Sequence, residues 1–279
     1  MKSVRVRVPA TTANLGPGFD AMGIALRVYN TTTVSQGVGQ DPGGMAAEAA
    51  DLFFEASGVK AFDFHWSVEG DVPMSRGLGS SVTVRLGVLH GLNKLAGSPL
   101  DRQRVFKLCA ELEGHPDNAA PAAFGGFCIA PKRGPLQRYP VSEELAFVLL
   151  IPEMELETSK ARGVLPAKIP LPDAALSVGN AAAVAGAFAS GDYRKLAGCF
   201  DDRLHQPYRA KLMPFLGHVI AAGCDAGALG GWLSGAGSTI ACASLRRPDK
   251  VANAMISACG LESACAVVVR ADNSGVKIA

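Results

Sequence analysis

Gly77-Leu78-Gly79-Ser80-Ser81 runs directly into a stretch whose apolar residues, Val82, Leu86, Leu89, Leu92 and Leu95, recur at helical spacing. Glycine lets backbone amides close on an anion, and the start of the helix adds its partial positive charge. Two hydroxyls at the same point can meet a phosphate or a metal. A glycine turn capped by serine has the same pattern, so spacing alone leaves cap and phosphate site both open. Two better-known glycine motifs do not fit. No Gly-Lys-Ser/Thr follows, and Val82 stands where a dinucleotide fingerprint has its third glycine.

Other residues of the right type lie in loops. Glu111 and Glu113 end the next helical pattern, where a carboxylate opposes the helix macrodipole; either suits a nearby cation, and either suits a solvated helix end. His115 adjoins a Pro-Asp-Asn turn. Asn14 and Asp20 flank a first glycine loop and suit an ammonium group, although both also favour turns for local reasons. Arg162 and Arg209 have the fork that grips a carboxylate. Composition and spacing reach a phosphate-handling enzyme and stop there.

The elements that hold these loops are short and mixed. Val4, Val6 and Val8 alternate with basic residues as a half-buried strand that Pro9 ends. Ile24 to Val34 reads as a second strand, Met45 to Glu55 as a helix and Phe62 to Val68 as a strand. Ser98-Pro99-Leu100-Asp101 fits a capping box for the helix carrying Val105, Leu108, Cys109 and Leu112. Ala146 to Ile151 is an apolar strand at the hinge between two halves, expected at 1–145 and 146–279. Helices follow over about 176–190 and 192–222, then strand, helix and strand at 239–243, 248–259 and 264–270. The fold class is α+β.

The 279 residues carry 27 basic and 25 acidic side chains, a balance that makes no case for nucleic acid. No apolar run is long enough to span a membrane and the start has no leader pattern, so a cytoplasmic location is expected. Seven scattered cysteines form no Cys-x-x-Cys pair and read as small buried hydrophobes in a reducing compartment.

Three glycine-bearing segments together resemble the motifs of the GHMP kinases: Pro9 to Asp20 followed by Met22-Gly23, Pro73-x-x-x-Gly77-Leu78-Gly79-Ser80-Ser81, and Leu233-Ser234-Gly235-Ala236-Gly237-Ser238-Thr239. Within that superfamily, Asn14 to Asp20 and Glu113-Gly114-His115-Pro116-Asp117-Asn118-x-Ala120-Pro121 are similar to the homoserine kinase family. Thr158-x-x-x-Arg162 and His205-x-Pro207-Tyr208-Arg209 agree. The resemblance implies a two-part GHMP kinase fold, with a ribosomal-S5-domain-2-like N-terminal half and a ferredoxin-like C-terminal half. It implies ATP over Pro73, Ser75, Arg76, Gly77, Leu78, Gly79, Ser80 and Ser81, with Gly235 and Gly237 supporting that loop. Mg²⁺ would rest on Ser81 and Glu113. L-homoserine would be surrounded by Asn14, Asp20, His115, Asn118, Thr158, Arg162 and Arg209, with Asp20 on its amino group and both arginines on its carboxylate. Asn118, Arg162, Ser81 and Glu113 would carry γ-phosphoryl transfer to the side-chain hydroxyl.

Asn118 stands where related kinases place an aspartate base, so no general base is assigned. The resemblance is compatible with a homodimer. Threonine or a small polyol as acceptor, and a sensor without turnover, are the alternatives. Two departures stand out: Asp41-Pro42-Gly43-Gly44-Met45 where such kinases often carry an asparagine near adenine, and Ser238 in place of a common proline.

Overall fold

In the computed structural model, which describes residues 2–37 and 43–279, two antiparallel sheets divide the chain. The first contains β1 (Ser3–Ala13), β2 (Met22–Gln36), β3 (Phe64–Gly70), β4 (Phe127–Ile129), β5 (Gln137–Tyr139) and, from the far end of the chain, β10 (Lys277–Ile278). Its strand order is β10-β1-β2-β4-β5, with β3 also paired to β2. The second sheet has the order β7-β8-β6-β9, from β6 (Ala146–Ile151), β7 (Gly230–Leu233), β8 (Ile240–Ser244) and β9 (Cys265–Val269).

Helices α1 (Gly44–Ser57), α2 (Ser80–Leu95), α3 (Arg102–Glu113) and α4 (Ala119–Phe124) share a core with the first sheet. A second core joins the sheets to each other. It sets Ala10, Ile24 and Leu26 against Phe147, Trp232 and Ala241, with Val184 and Phe188 of α6 (Leu171–Ser190). A third core packs α8 (Leu216–Asp225) and α9 (Pro248–Cys259) on the second sheet. The short α5 (Thr158–Gly163) and α7 (Gln206–Arg209) lie between the halves. Among the described residues no helix is long and apolar enough to cross a membrane.

Several expectations need correction. Pro9 does not end the first strand. The ladder to β2 continues to Ala13, and a register shift between Pro9 and Ala10 absorbs the missing N–H. The α3 cap is Asp101, whose carboxylate accepts from the Arg104 amide at 2.7 Å, and not Ser98, which sits at φ 63 outside the helix. The helix expected over 192–222 is broken into a 3₁₀ turn (Tyr193–Leu196), α7, a second 3₁₀ turn (Ala210–Leu212) and α8, because Gly198 takes a positive φ and Pro207 and Pro214 lack the amide a helix interior needs. Of the seven cysteines, all free, Cys109, Cys128, Cys242 and Cys259 are buried, whereas Cys199 is half-buried and Cys224 and Cys265 are exposed.

Strands β4, β5, β7 and β10 were not expected; the last returns the chain to β1, with Val6 opposite Ile278. Arg102 and Arg138 hold the segment before it by its carbonyls: Arg102 donates to Ser274 at 3.0 Å, and Arg138 donates to Asn273.

Candidate active site

The two halves leave a cleft of about 370 Å³, lined by loops and element ends from both. The end of β1 supplies Asn14, the start of α2 supplies Ser80 and Ser81, and the end of α3 supplies Glu113. The turn into α4 supplies His115, Asp117 and Asn118. From the second half come Thr158 and Arg162 on α5, Arg209 on α7, and Gly235 and Gly237 in the β7–β8 turn.

The start of α2 is open to an anion. Its cap position is Gly79, at φ 70, with no side chain bonding the first amides and no acid in the first turn. The serine-capped alternative is therefore not what the fold uses. A Cβ at Gly79 would stand 2.2 Å from Thr11 Oγ1, and one at Gly77 2.2 Å from the Ser234 carbonyl, so both glycines are required for close approach. The third glycine segment buttresses this loop. Ser234 Oγ donates to the Gly77 carbonyl at 2.7 Å, and the Thr239 amide donates to that of Arg76 at 3.0 Å. Ser238, in the position noted as a departure, donates its hydroxyl to the Met154 carbonyl.

Beside the helix start, Ser81 Oγ donates to Glu113 Oε2 at 3.0 Å. Glu111 is exposed and does not line the cleft, which separates the two glutamates that spacing left equal. A hydroxyl and a carboxylate are hard oxygen donors and fit magnesium.

Deeper in, Asp117 is 2% exposed, and its Oδ1 meets His115 Nδ1 at 2.7 Å and the Asn118 amide at 2.9 Å. Asp117 is thus turned to the histidine. Burial works against the imidazolium, but the hydrogen bond and charge of Asp117, with Asp20 beyond, raise the His115 pKa above its ordinary value. Asn118 Oδ1 accepts from the Thr11 hydroxyl at 2.7 Å, fixing which end of the amide is the donor.

At the far end, Arg162 grips Asp20 through both terminal nitrogens, at 2.7 and 3.1 Å. The two residues expected at opposite ends of a substrate are paired with each other here. Asn14 is buried and spans the halves. Its Nδ2 donates to the Gly235 carbonyl at 2.9 Å, and its Oδ1 accepts from the Asp20 amide at 3.0 Å. Arg209, 2% exposed, donates to the carbonyls of Ala161 at 3.1 Å and Gly235 at 2.9 Å. Its Nη1 also meets His205 Nδ1 at 3.2 Å. Burial, then the charge of Arg162, lower its pKa to about 10. His205, fully buried, has its pKa lowered by burial and donates to the Gly16 carbonyl at 2.9 Å.

The expected ATP residues Ser75, Arg76, Gly77, Gly79, Ser80 and Ser81 line the cleft; Pro73 does not, and Leu78 is buried in the core behind it. Asp41 and Pro42 lie outside the described residues, while Gly43 and Gly44 open α1. Sequence reasoning missed Arg85, Met74, Leu156 and Glu157, all in the cleft wall, where Met45 of the segment noted as a departure also stands. Arg85 was within reach of spacing, four residues after Ser81 on one helix face.

Comparison with known proteins gives this arrangement a family. The family model for the GHMP kinases N terminal domain matches residues 44–126, and that for the GHMP kinases C terminal matches residues 183–260. A homoserine kinase of Moorella thermoacetica is 38% identical over 270 residues, covering 91% of each chain. The chain belongs to the GHMP kinases. It is therefore a kinase, and its fold is the two-domain one of that family. A homoserine kinase of Clostridium botulinum is 39% identical over 265 residues, covering 88% of each chain. The crystal structure of homoserine kinase from Cytophaga hutchinsonii superposes with a TM-score of 0.88 at 25% identity, covering 100% of this chain and 98% of that one.

Proposed function

We propose that this GHMP kinase transfers the γ-phosphoryl group of ATP to the side-chain hydroxyl of L-homoserine, forming O-phospho-L-homoserine for threonine biosynthesis in the cytoplasm. The observation that carries the reading is one cleft with two chemically distinct ends. The uncapped start of α2 suits phosphates, and the Asp20–Arg162 pair suits a zwitterion. The names and coverage of the relatives support the same acceptor.

The phosphates would lie against the amides of Gly79 to Ser81, where the helix dipole favours negative charge. Ser81 and Glu113 would hold Mg²⁺, which when bound neutralises phosphate charge. An incoming amino acid would take over the existing ion pair, its ammonium meeting Asp20 and its carboxylate meeting Arg162, with Arg209 behind. Asn14, His115 and Thr158 would close around it. Asn118, its amide oriented by Thr11, would donate to the acceptor oxygen and hold it in line with the γ-phosphorus. That oxygen bonds to phosphorus as the bond to the β–γ bridging oxygen breaks, and, with no general base assigned, the hydroxyl proton passes to an oxygen of the transferred phosphoryl group and from there to water. Catalysis of this kind rests on positioning and charge more than on covalent chemistry. We also propose 1–145 and 146–279 as the two working units, the second returning its last residues to the first sheet.

The test is steady-state ADP release with ATP and Mg²⁺ across L-homoserine, L-threonine and small polyols. The reading expects the highest kcat/KM with homoserine; a far higher value with another acceptor would keep the kinase and change its substrate.

A further inference from the structure

Arg85 has no role in the mechanism above, yet its side chain lines the cleft. It stands one turn after Ser81 on α2, and helical side chains lean toward the helix N-terminus, which brings its guanidinium back toward the phosphate loop. Nη1 donates to Glu113 Oε1 at 2.6 Å and Nη2 to Glu48 Oε2 at 3.0 Å. The other Glu113 oxygen, Oε2, is the one that accepts from Ser81. The Arg85 and Glu113 side chains are only 14% and 10% exposed, and Arg85 Nε is buried with no hydrogen-bond partner among the described residues.

We propose that Arg85 is a positioning residue that holds Glu113 with one oxygen turned to Ser81 and, by occupying the other, keeps Glu113 and Glu48 from binding a bare divalent cation. The inference rests on reading Ser81 and Glu113 as the metal-facing pair. Two carboxylates without the arginine would form a doubly negative site open to any dication. With the guanidinium between them, a dication arriving alone meets a like charge at close range. One arriving on a triphosphate brings compensating negative charge with it. Metal entry is thereby coupled to nucleotide entry.

Manganese as a paramagnetic probe tests this on the full chain without nucleotide or acceptor, with free Mn²⁺ followed by electron paramagnetic resonance. The wild-type chain should bind bare Mn²⁺ weakly, and Arg85→Met should bind it about ten-fold or more tightly, as removal of a nearby like charge requires. Arg85→Met/Glu113→Gln should lose that gain. In turnover, Arg85→Met should lower kcat about ten-fold with the homoserine KM within about two-fold, since only the phosphate end is disturbed. Arg85→Lys should keep bare Mn²⁺ out while recovering part of kcat, because an ammonium carries the charge but not the fork. If Arg85→Met fails to fold, Arg85→Gln, which removes the charge but keeps a polar group between the two acids, carries the same Mn²⁺ prediction. Equal bare-Mn²⁺ affinity in wild type and variant overturns the proposal. The titration needs no acceptor, so it decides Arg85 even if homoserine proves not to be the substrate.

Discussion

Replacing Arg162 by alanine should weaken the acceptor and leave ATP alone, and the structure bounds by how much. A hydrogen-bonded carboxylate on a guanidinium contributes roughly 1.5–3 kcal/mol. In the free protein, however, Arg162 already grips Asp20 at 2.7 and 3.1 Å, with the two side chains 37% and 34% exposed. A pair that open to water is worth roughly 0.2–1 kcal/mol, and the substrate must displace it. The net loss is the difference, roughly 0.5–2.8 kcal/mol, or about a 2- to 100-fold rise in the homoserine KM. The assay is coupled ADP release at saturating ATP, with the ATP KM measured beside it. Arg162→Lys should recover the charge but not the fork, and fall between the two. A homoserine KM unchanged in Arg162→Ala, below even the two-fold floor, refutes the assignment.

The remaining predictions address the loop, the metal pair and the core. Ser81→Ala removes the hydroxyl that meets Glu113 and should lower kcat about ten-fold or more while raising the Mg²⁺ needed for half-maximal rate; homoserine affinity by calorimetry should not move, and a shift there would contradict the role. Gly79→Ala places a Cβ 2.2 Å from Thr11 Oγ1 at φ +70. Left-handed strain of roughly 1–2 kcal/mol, with a disturbed Thr11–Asn118 hydrogen bond of roughly 0.5–1.5 kcal/mol, should lower the melting temperature by several degrees. An unshifted melt would show that the loop relaxes. His90 is a buried residue of α2, and burial, with the charge of Arg102, lowers its pKa to about 4. The unfolded value near 6.5 is higher, so His90 contributes stability above that pH and loses it as pH falls toward 4, about 3 kcal/mol in all. Its Nε2 has no hydrogen-bond partner among the described residues, so His90→Leu should unfold at lower pH than wild type, followed by circular dichroism; an unchanged acid midpoint would count against it.

Much of the site was legible because its elements obey local rules. The glycine-serine loop must precede a helix for its amides to matter, and apolar spacing from Val82 announced that helix. The run Ala146 to Ile151 is β6 without change. What escaped was decided by distant partners. Pro9 reads as a terminator, but a bulge against β2 carries the strand past it. Gly198, Pro207 and Pro214 interrupt residues 192–222 locally, but the path that the broken segment takes is set by Gln206, which accepts from the Leu233 amide at 2.7 Å, and by His205, which donates to the Gly16 carbonyl. Nothing near Lys277 says that it pairs with β1, since that contact spans the whole chain. Asp20 and Arg162 were legible as a cation binder and an anion binder. That each satisfies the other in the free protein follows only from the two halves meeting.

The most direct test of the central claim is phosphorus NMR of the purified protein incubated with ATP, Mg²⁺ and L-homoserine. The account predicts a new phosphomonoester resonance, coupled to the side-chain methylene protons of homoserine and growing one for one with ADP. ADP accompanied only by inorganic phosphate, or no consumption of ATP at all, would contradict it.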